Sequence, residues 1–225
     1  MKRFFLFSTL CLSAMVVTTA RGERPNIIMF LIDDQNPSSI AAFGGDTYTP
    51  NLDRMAEEGM KFTRAYVSSS VCTPSRYTFL TGRFAGNSHS KRYVDEVGGK
   101  ENQGLPNFNV ALERDNMNVG KVLREAGYTT GFVGKYHLTS KLDFPEFYKG
   151  ENGWIDIPKD ASPSPETSAQ FKHNERWMRR YLRTLGFSWA KNVYPENIHS
   201  PYSSHNPEWT TVAALEFIEE NKNGP

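Results

Sequence analysis

Residues 27–32 run Ile-Ile-Met-Phe-Leu-Ile without a polar side chain and then meet Asp33-Asp34. A short continuous apolar run with an acidic end predicts a strand buried on both faces of a parallel sheet. Thr49-Pro50 opens a helix with Leu52, Met55 and Ala56 on one face and Gly59 closing it, and residues 60–67 read as the next strand. The same unit returns downstream: Val119, Val122, Leu123 and Ala126 share a helical face, Gly127 stops it, and residues 128–133 follow as a strand. Repeated helix, glycine and strand predict βαβ architecture. Residues 171–185 form an amphipathic helix through Met178, Tyr181, Leu182 and Leu185, ended by Gly186. A last helix opens at Asn206-Pro207-Glu208 and carries Val212, Leu215, Phe217 and Ile218. A buried strand is expected to follow such a helix, and the sequence reaches Pro225 without one.

Two stretches lack this periodicity. Residues 84–116 are polar and glycine-rich, and residues 140–170 are rich in proline, serine and charge, including Ser162-Pro163-Ser164-Pro165. Both are expected to be surface excursions. His89, Lys91 and Arg92 in the first are read as solvated, since charged side chains mostly stay exposed. Arg176, Arg179, Arg180 and Arg183 flank the apolar stripe of the 171–185 helix. A surface helix needs such a solvated face in any case; the sharper alternative is a docking surface for an acidic, sulfated polymer. His199 and His205 precede the last helix and are assigned no role.

Composition narrows the class. The 225 residues suffice for one domain with a core, and a net charge of +1 gives no electrostatic case for nucleic acid. At the N-terminus Lys2 and Arg3 precede an apolar run from Phe4 to Val17, followed by Thr18-Thr19-Ala20. That is the pattern of a secretory signal cleaved after about Ala20. The run is short for a membrane span and is broken by Ser8, Thr9 and Ser13. The expected organisation is a signal peptide over residues 1–20 and one folded portion over residues 21–225, secreted or periplasmic, with no membrane association after cleavage. Cleavage removes Cys11 and leaves Cys72. A lone cysteine in an exported chain is a free thiol, an intermolecular bridge or a modified residue.

The candidate chemistry centres on Val71-Cys72-Thr73-Pro74-Ser75-Arg76, which continues to Leu80-Thr81-Gly82-Arg83. Thr73 suits a helix N-cap, Pro74 the first helical position and Gly82 the stop, so a helix is expected to begin just after Cys72. Its positive end and unpaired N–H groups would face the surroundings of the cysteine. Arg76 lies in the first turn, and its planar fork suits a tetrahedral oxyanion. A sulfur nucleophile, an arginine and a helix N-terminus together suggest chemistry on sulfate or phosphate. The plainer alternative is a small buried cysteine and an exposed arginine. Asp33-Asp34 ends the first predicted strand, where ligands gather in open α/β sheets. Adjacent carboxylates repel unless a cation sits between them, and hard oxygens favour calcium or magnesium; a simple acidic turn is the alternative. Gly134-Lys135-Tyr136-His137-Leu138 lies at the end of the 128–133 strand.

Cys-x-Pro-Ser-Arg followed at this spacing by Leu-Thr-Gly-Arg closely resembles the signature of the type I sulfatases. The segment from Gly44-Gly45-Asp46 through Thr49-Pro50-Asn51-Leu52-Asp53 to Glu58-Gly59 is similar to the family's scaffold pattern. Residues 134–139 resemble its Gly-Lys-Trp-His-Leu-Gly motif: Lys135 and His137 match, while Tyr136 and Thr139 depart from it. The resemblance runs from about Pro25 to the end and covers about the first half of a sulfatase.

It implies an α/β fold, a three-layer sandwich around a mainly parallel sheet of the alkaline-phosphatase type, truncated at the C-terminus. It implies that a formylglycine-generating enzyme oxidises Cys72 to formylglycine, which hydrates to a geminal diol. One hydroxyl attacks sulfur in line and expels the alcohol; the other loses its proton, and collapse to the aldehyde releases sulfate. Asp33, Asp34 and the modified Cys72 are implied ligands of a calcium ion. Arg76 and Lys135 are implied to hold the modified side chain and the sulfate, and His137 to position a hydroxyl or transfer a proton. The implied substrate is a sulfated small molecule or polysaccharide. A phosphate mono- or diester hydrolase of the same superfamily is the nearest alternative. A truncated, non-catalytic chain that at most binds sulfated glycans is the other. The family's further metal ligands, a second lysine and a second histidine lie beyond these residues, so the chain alone is expected to be inactive.

Overall fold

The computed structural model describes residues 24–97, 104–115, 118–204 and 206–224. The predicted signal peptide, Cys11 and His205 lie outside them. The helices are α1 (Pro50–Glu58), α2 (Cys72–Thr81), α3 (Lys91–Val97), α4 (Val119–Glu125), α5 (Pro165–Thr184) and α6 (Asn206–Asn221), and the strands are β1 (Gly131–Lys135) and β2 (Trp189–Tyr194).

The core is built on α5. Ser164 caps it by accepting from the Thr167 N–H at 3.0 Å, and Pro165 occupies its opening turn, where a missing N–H costs nothing. The helix therefore starts six residues before the expected Phe171. Met178, Tyr181, Leu182 and Leu185, the predicted apolar stripe, are all fully buried, together with Trp177. The stretch over residues 140–170 does not simply lie on the surface, because its aromatics are drawn onto this helix. Phe144 is fully buried, and Phe147, Tyr148 and Trp154 pack edge-on around Trp177 with ring centroids 5.0 to 5.9 Å away.

α5 returns the chain so that β2 pairs in parallel with β1, from Gly131 opposite Trp189 to Lys135 opposite Tyr194. A helix-connected parallel pair makes the protein α/β. No strand was expected at residues 189–194, where Lys191 and Asn192 interrupt the apolar signal. Both are accommodated: Lys191 reaches Glu216 on α6, and Asn192 is the extra residue of a β-bulge between Val133 and Gly134. Asn192 sits at φ 53, with its N–H donating to Glu175 at 3.3 Å and its amide to the Trp209 carbonyl at 2.5 Å. Such a bulge bends the strand that carries it, and the pairing resumes with Gly134 opposite Val193 and Lys135 opposite Tyr194. α6 lies on the sheet through Phe217, whose ring stands 2.9 Å from where a Cβ on Gly131 would be, which is why that strand position is a glycine.

Other expectations are corrected. Residues 27–32 form no ladder and are exposed, Phe30 at 74%. The residues flanking them are nevertheless tied down: Arg24 donates to the Ala126 carbonyl at the end of α4, and Asp33 pairs with Lys135 at the end of β1. Residues 60–67 also form no strand, and Met60, Phe62, Tyr66 and Val67 are exposed. An apolar run becomes a buried strand only where another backbone meets its N–H and C=O groups. The region over residues 84–116 is more than an excursion: it contains α3 and buries Tyr93, Val110, Ala111 and Leu112. Lys91 and Arg92 pair along α3 with Asp95 and Glu96, which agrees with their solvated reading. On α6, Ala213 is buried while Val212, Leu215 and Ile218 remain exposed.

Candidate active site

Helix α2 presents Cys72 as its first residue, with Val71 as the N-cap and Gly82 at φ 68 as the left-handed stop. Thr73 is not the cap. It is fully inside the first turn, and its Oγ1 is buried without a hydrogen-bond partner in the structure. Pro74 still falls where the helix needs no N–H. Cys72 is half-buried, and its Sγ lies 3.2 Å from His137 Nδ1 across 65 residues of sequence.

His137 follows the end of β1 at φ 58, a left-handed conformation that turns the chain away from the sheet. The Phe108 ring lies over it at 5.4 Å. Burial, then the positive charge of Lys135, pushes the imidazole pKa below its ordinary value; Arg76 adds a smaller push, and Glu196 and Asp33 pull the other way without reversing it. The ring is therefore neutral at neutral pH, with one nitrogen able to accept a proton. An NMR titration of His137 should give a midpoint below 6.5. Because the unfolded chain takes this proton first, the stabilisation is present above the unfolded value and is lost as pH falls through the lower folded value. A midpoint at or above the ordinary value would show that burial does not govern this ring.

Lys135 and Arg76 do not turn to Cys72 here. Lys135 Nζ donates to Asp33 Oδ2 at 2.6 Å from a side chain only 5% exposed. Arg76, also buried, donates to the Lys135 carbonyl at 2.8 Å and to Asp33 Oδ1 at 3.4 Å. Partial burial raises the Asp33 pKa, but Lys135 and then Arg76 outweigh it and hold the carboxyl below its ordinary range. Asp34 stands exposed at φ 56. Among the described residues no three His, Cys, Asp or Glu side chains gather in a set able to hold a metal ion. Asp33 and Asp34 have the chemistry of calcium ligands, but both oxygens of Asp33 already face cationic nitrogens, and calcium takes six to eight oxygens. In this arrangement the donor set does not fit calcium.

Residues 25–206 match the family model described as Sulfatase. The chain belongs to the sulfatase family. Human arylsulfatase G is 34% identical over 141 residues, covering 61% of this chain and 25% of the relative. Rat N-acetylgalactosamine-6-sulfatase is 34% identical over 158 residues, covering 65% of this chain and 28% of the relative. N-acetylglucosamine-6-O-sulfatase of Bacteroides thetaiotaomicron is 36% identical over 120 residues, covering 53% and 19%. The chain thus spans about a quarter of the length of the curated relatives it matches.

The sulfatase-like motif departs at Tyr136 on the core side. Its ring is fully buried, edge-on to Phe132 at 5.6 Å and Tyr181 at 5.8 Å, while its N–H continues the sheet by donating to the Tyr194 carbonyl at 2.9 Å. The swap thus falls where an aromatic fills the core. Sequence reasoning also missed Glu113. Its partly buried carboxylate accepts from Tyr77 Oη at 2.9 Å, Ser88 Oγ at 2.7 Å, the His89 N–H at 2.7 Å and Arg83 at 3.1 Å. Arg83 bonds Asp115 as well. This network anchors the far end of α2 and explains the closing arginine of the signature: Arg83 holds the helix that presents Cys72. The available signal was a single acid directly after the apolar Val110-Ala111-Leu112.

Proposed function

We propose that the chain is the N-terminal part of a secreted or periplasmic sulfatase. It would hydrolyse aryl or carbohydrate sulfate esters through a formylglycine made from Cys72 by a formylglycine-generating enzyme. The observation that carries this reading is the thiol of Cys72, first residue of a ten-residue helix, 3.2 Å from the imidazole of His137. The names of the relatives, arylsulfatase and two amino-sugar sulfatases, support a sulfated small molecule or polysaccharide as substrate. The fuller fold proposed is the three-layer sandwich around a mainly parallel sheet, of which β1, β2 and the helices on them are one portion.

Each residue has a physical task. The unpaired N–H groups and positive end of α2 attract and orient an anionic ester group at Cys72. A formylglycine there supplies an oxygen nucleophile with an internal route for releasing sulfate, which a serine lacks. His137, kept neutral, holds or moves a proton at Nδ1 beside that side chain. Water and ester give alcohol and sulfate. Asp33, engaged by Lys135 and Arg76, takes no part in these steps.

The test is modification. Expressed in a host with a formylglycine-generating enzyme, the Cys72 peptide should appear partly as aldehyde and hydrate by mass spectrometry. A wholly unmodified thiol, in a host shown to modify another sulfatase, would overturn the reading. Paired aryl sulfate and aryl phosphate substrates then separate sulfatase from phosphatase in any active form.

A further inference from the structure

Helix α5 carries Lys172, Arg176, Arg179, Arg180 and Arg183 against Glu166 and Glu175, in a chain whose net charge is only +1. The cations at 172, 176, 179 and 183 follow the spacing of one helical stripe, and Arg180 flanks it. The stripe lies opposite the buried Trp177, Met178, Tyr181 and Leu182. An ordinary solvated face looks like α3, where Lys91 pairs with Asp95 and Arg92 with Glu96. On α5, Arg179 reaches Glu175 at 3.5 Å and Arg180 the Asn152 carbonyl, but Lys172, Arg176 and Arg183 form no ion pair among the described residues. Like charges three and four residues apart repel along the stripe and weaken the helix. The stripe runs out at a cleft where α4 meets the end of α5, lined by Lys121, Arg124, Glu125, Thr184 and Gly186.

We propose that this face of α5 is a docking surface for a linear sulfated polysaccharide. The sulfated class rests on the sulfatase reading; the cationic stripe does not. From residue 172 to residue 183 the helix rises roughly 16 Å. One small sulfate ester covers only part of that length, whereas a chain with sulfate groups along it meets several cations at once. Four of the five cations on α5 are arginines, whose planar forks bond tetrahedral oxyanions through parallel N–H donors. The polymer relieves the repulsion along the stripe, and Lys121 and Arg124 continue the cationic lining into the cleft. Docking there raises the local concentration of sulfate esters and leaves the chemistry at Cys72 unchanged.

Heparin titrated into the whole chain by calorimetry tests this. Binding should appear at low salt and weaken as salt rises. Arg176→Gln with Arg183→Gln should weaken it by about tenfold or more and flatten its salt dependence, because fewer counterions are released. Lys91→Gln with Arg92→Gln removes the same charge from α3 and should leave binding nearly unchanged. All four positions are exposed or half-buried, and far-ultraviolet dichroism checks that both variants keep their helices. Fully desulfated heparin should not bind. The proposal is overturned if heparin does not bind, if the α5 variant binds like the parent, or if the two variants lose affinity equally. Desulfated heparin binding as well as heparin overturns it too, and so does duplex DNA binding as tightly, which would assign the stripe to phosphate backbones. Cys72 enters none of these readouts. An unmodified Cys72 peptide overturns the enzymatic reading and leaves the docking surface, while loss of docking leaves the enzymatic reading to its own test.

Discussion

Replacing Cys72 by alanine is expected to lower kcat/KM for an aryl sulfate by at least about 10³-fold in any form of the protein that turns this substrate over, since removing a nucleophile eliminates the covalent route. The loss should occur without unfolding. Cys72 is half-buried at the first position of α2, where alanine is a good helix former, and the helix is held from its other end by Glu113 and Arg83. The melting temperature should therefore move little while activity disappears. Cys72→Ser separates two mechanisms. A serine hydroxyl can take the sulfuryl group but has no second hydroxyl to expel it, so at most one equivalent of alcohol should appear in a burst. Steady turnover by either variant, within a few-fold of the parent, would mean that chemistry does not pass through this position.

Trp177→Ala is expected to cost about 3–5 kcal/mol of stability, the range for truncating a buried aromatic. Trp177 is fully buried and stacked on Tyr181 at 5.1 Å with the rings 12° from parallel. Phe147, Tyr148 and Trp154 pack against its ring, and its indole N–H donates to the Phe147 carbonyl. Alanine would leave a cavity and an unpaired carbonyl, and the loop over residues 144–154 would lose its anchor on α5. A domain of ordinary stability has only about 5–15 kcal/mol in total, so this one change should shift the urea midpoint sharply and flatten the near-ultraviolet dichroism. A loss under about 1 kcal/mol, typical of surface positions, would show that α5 does not organise the core.

The site was partly legible beforehand. Cys72 and His137 stand in separate motifs, and the fold brings them together. Lys135 and Arg76 stand in the same motifs, but the structure gives them to Asp33, and Glu113 lies in neither motif. Motif spacing reports which residue types are present. It does not report which carboxylate a buried cation will find, because that depends on backbones far apart in sequence.

The same division runs through the whole molecule. The sequence by itself determined the helices other than α3: Gly82, Gly127 and Gly186 stop the chain at φ 68, 89 and 97, and every predicted stripe residue of α5 is buried. Helical hydrogen bonds close within four residues and glycine alone enters the left-handed region cheaply, so these signals are local. Only the tertiary structure decided the sheet. Residues 27–32, apolar throughout, and residues 60–67, both expected as strands, stay outside any ladder, while residues 189–194, with a lysine and an asparagine in their midst, pair with β1. A strand is completed by a partner elsewhere in the chain, here 58 residues away for Gly131 and Trp189, and an ion pair such as Lys135 with Asp33 closes across 102. Hydrophobicity selects what would gain from burial, and only the meeting of distant backbones decides what is buried.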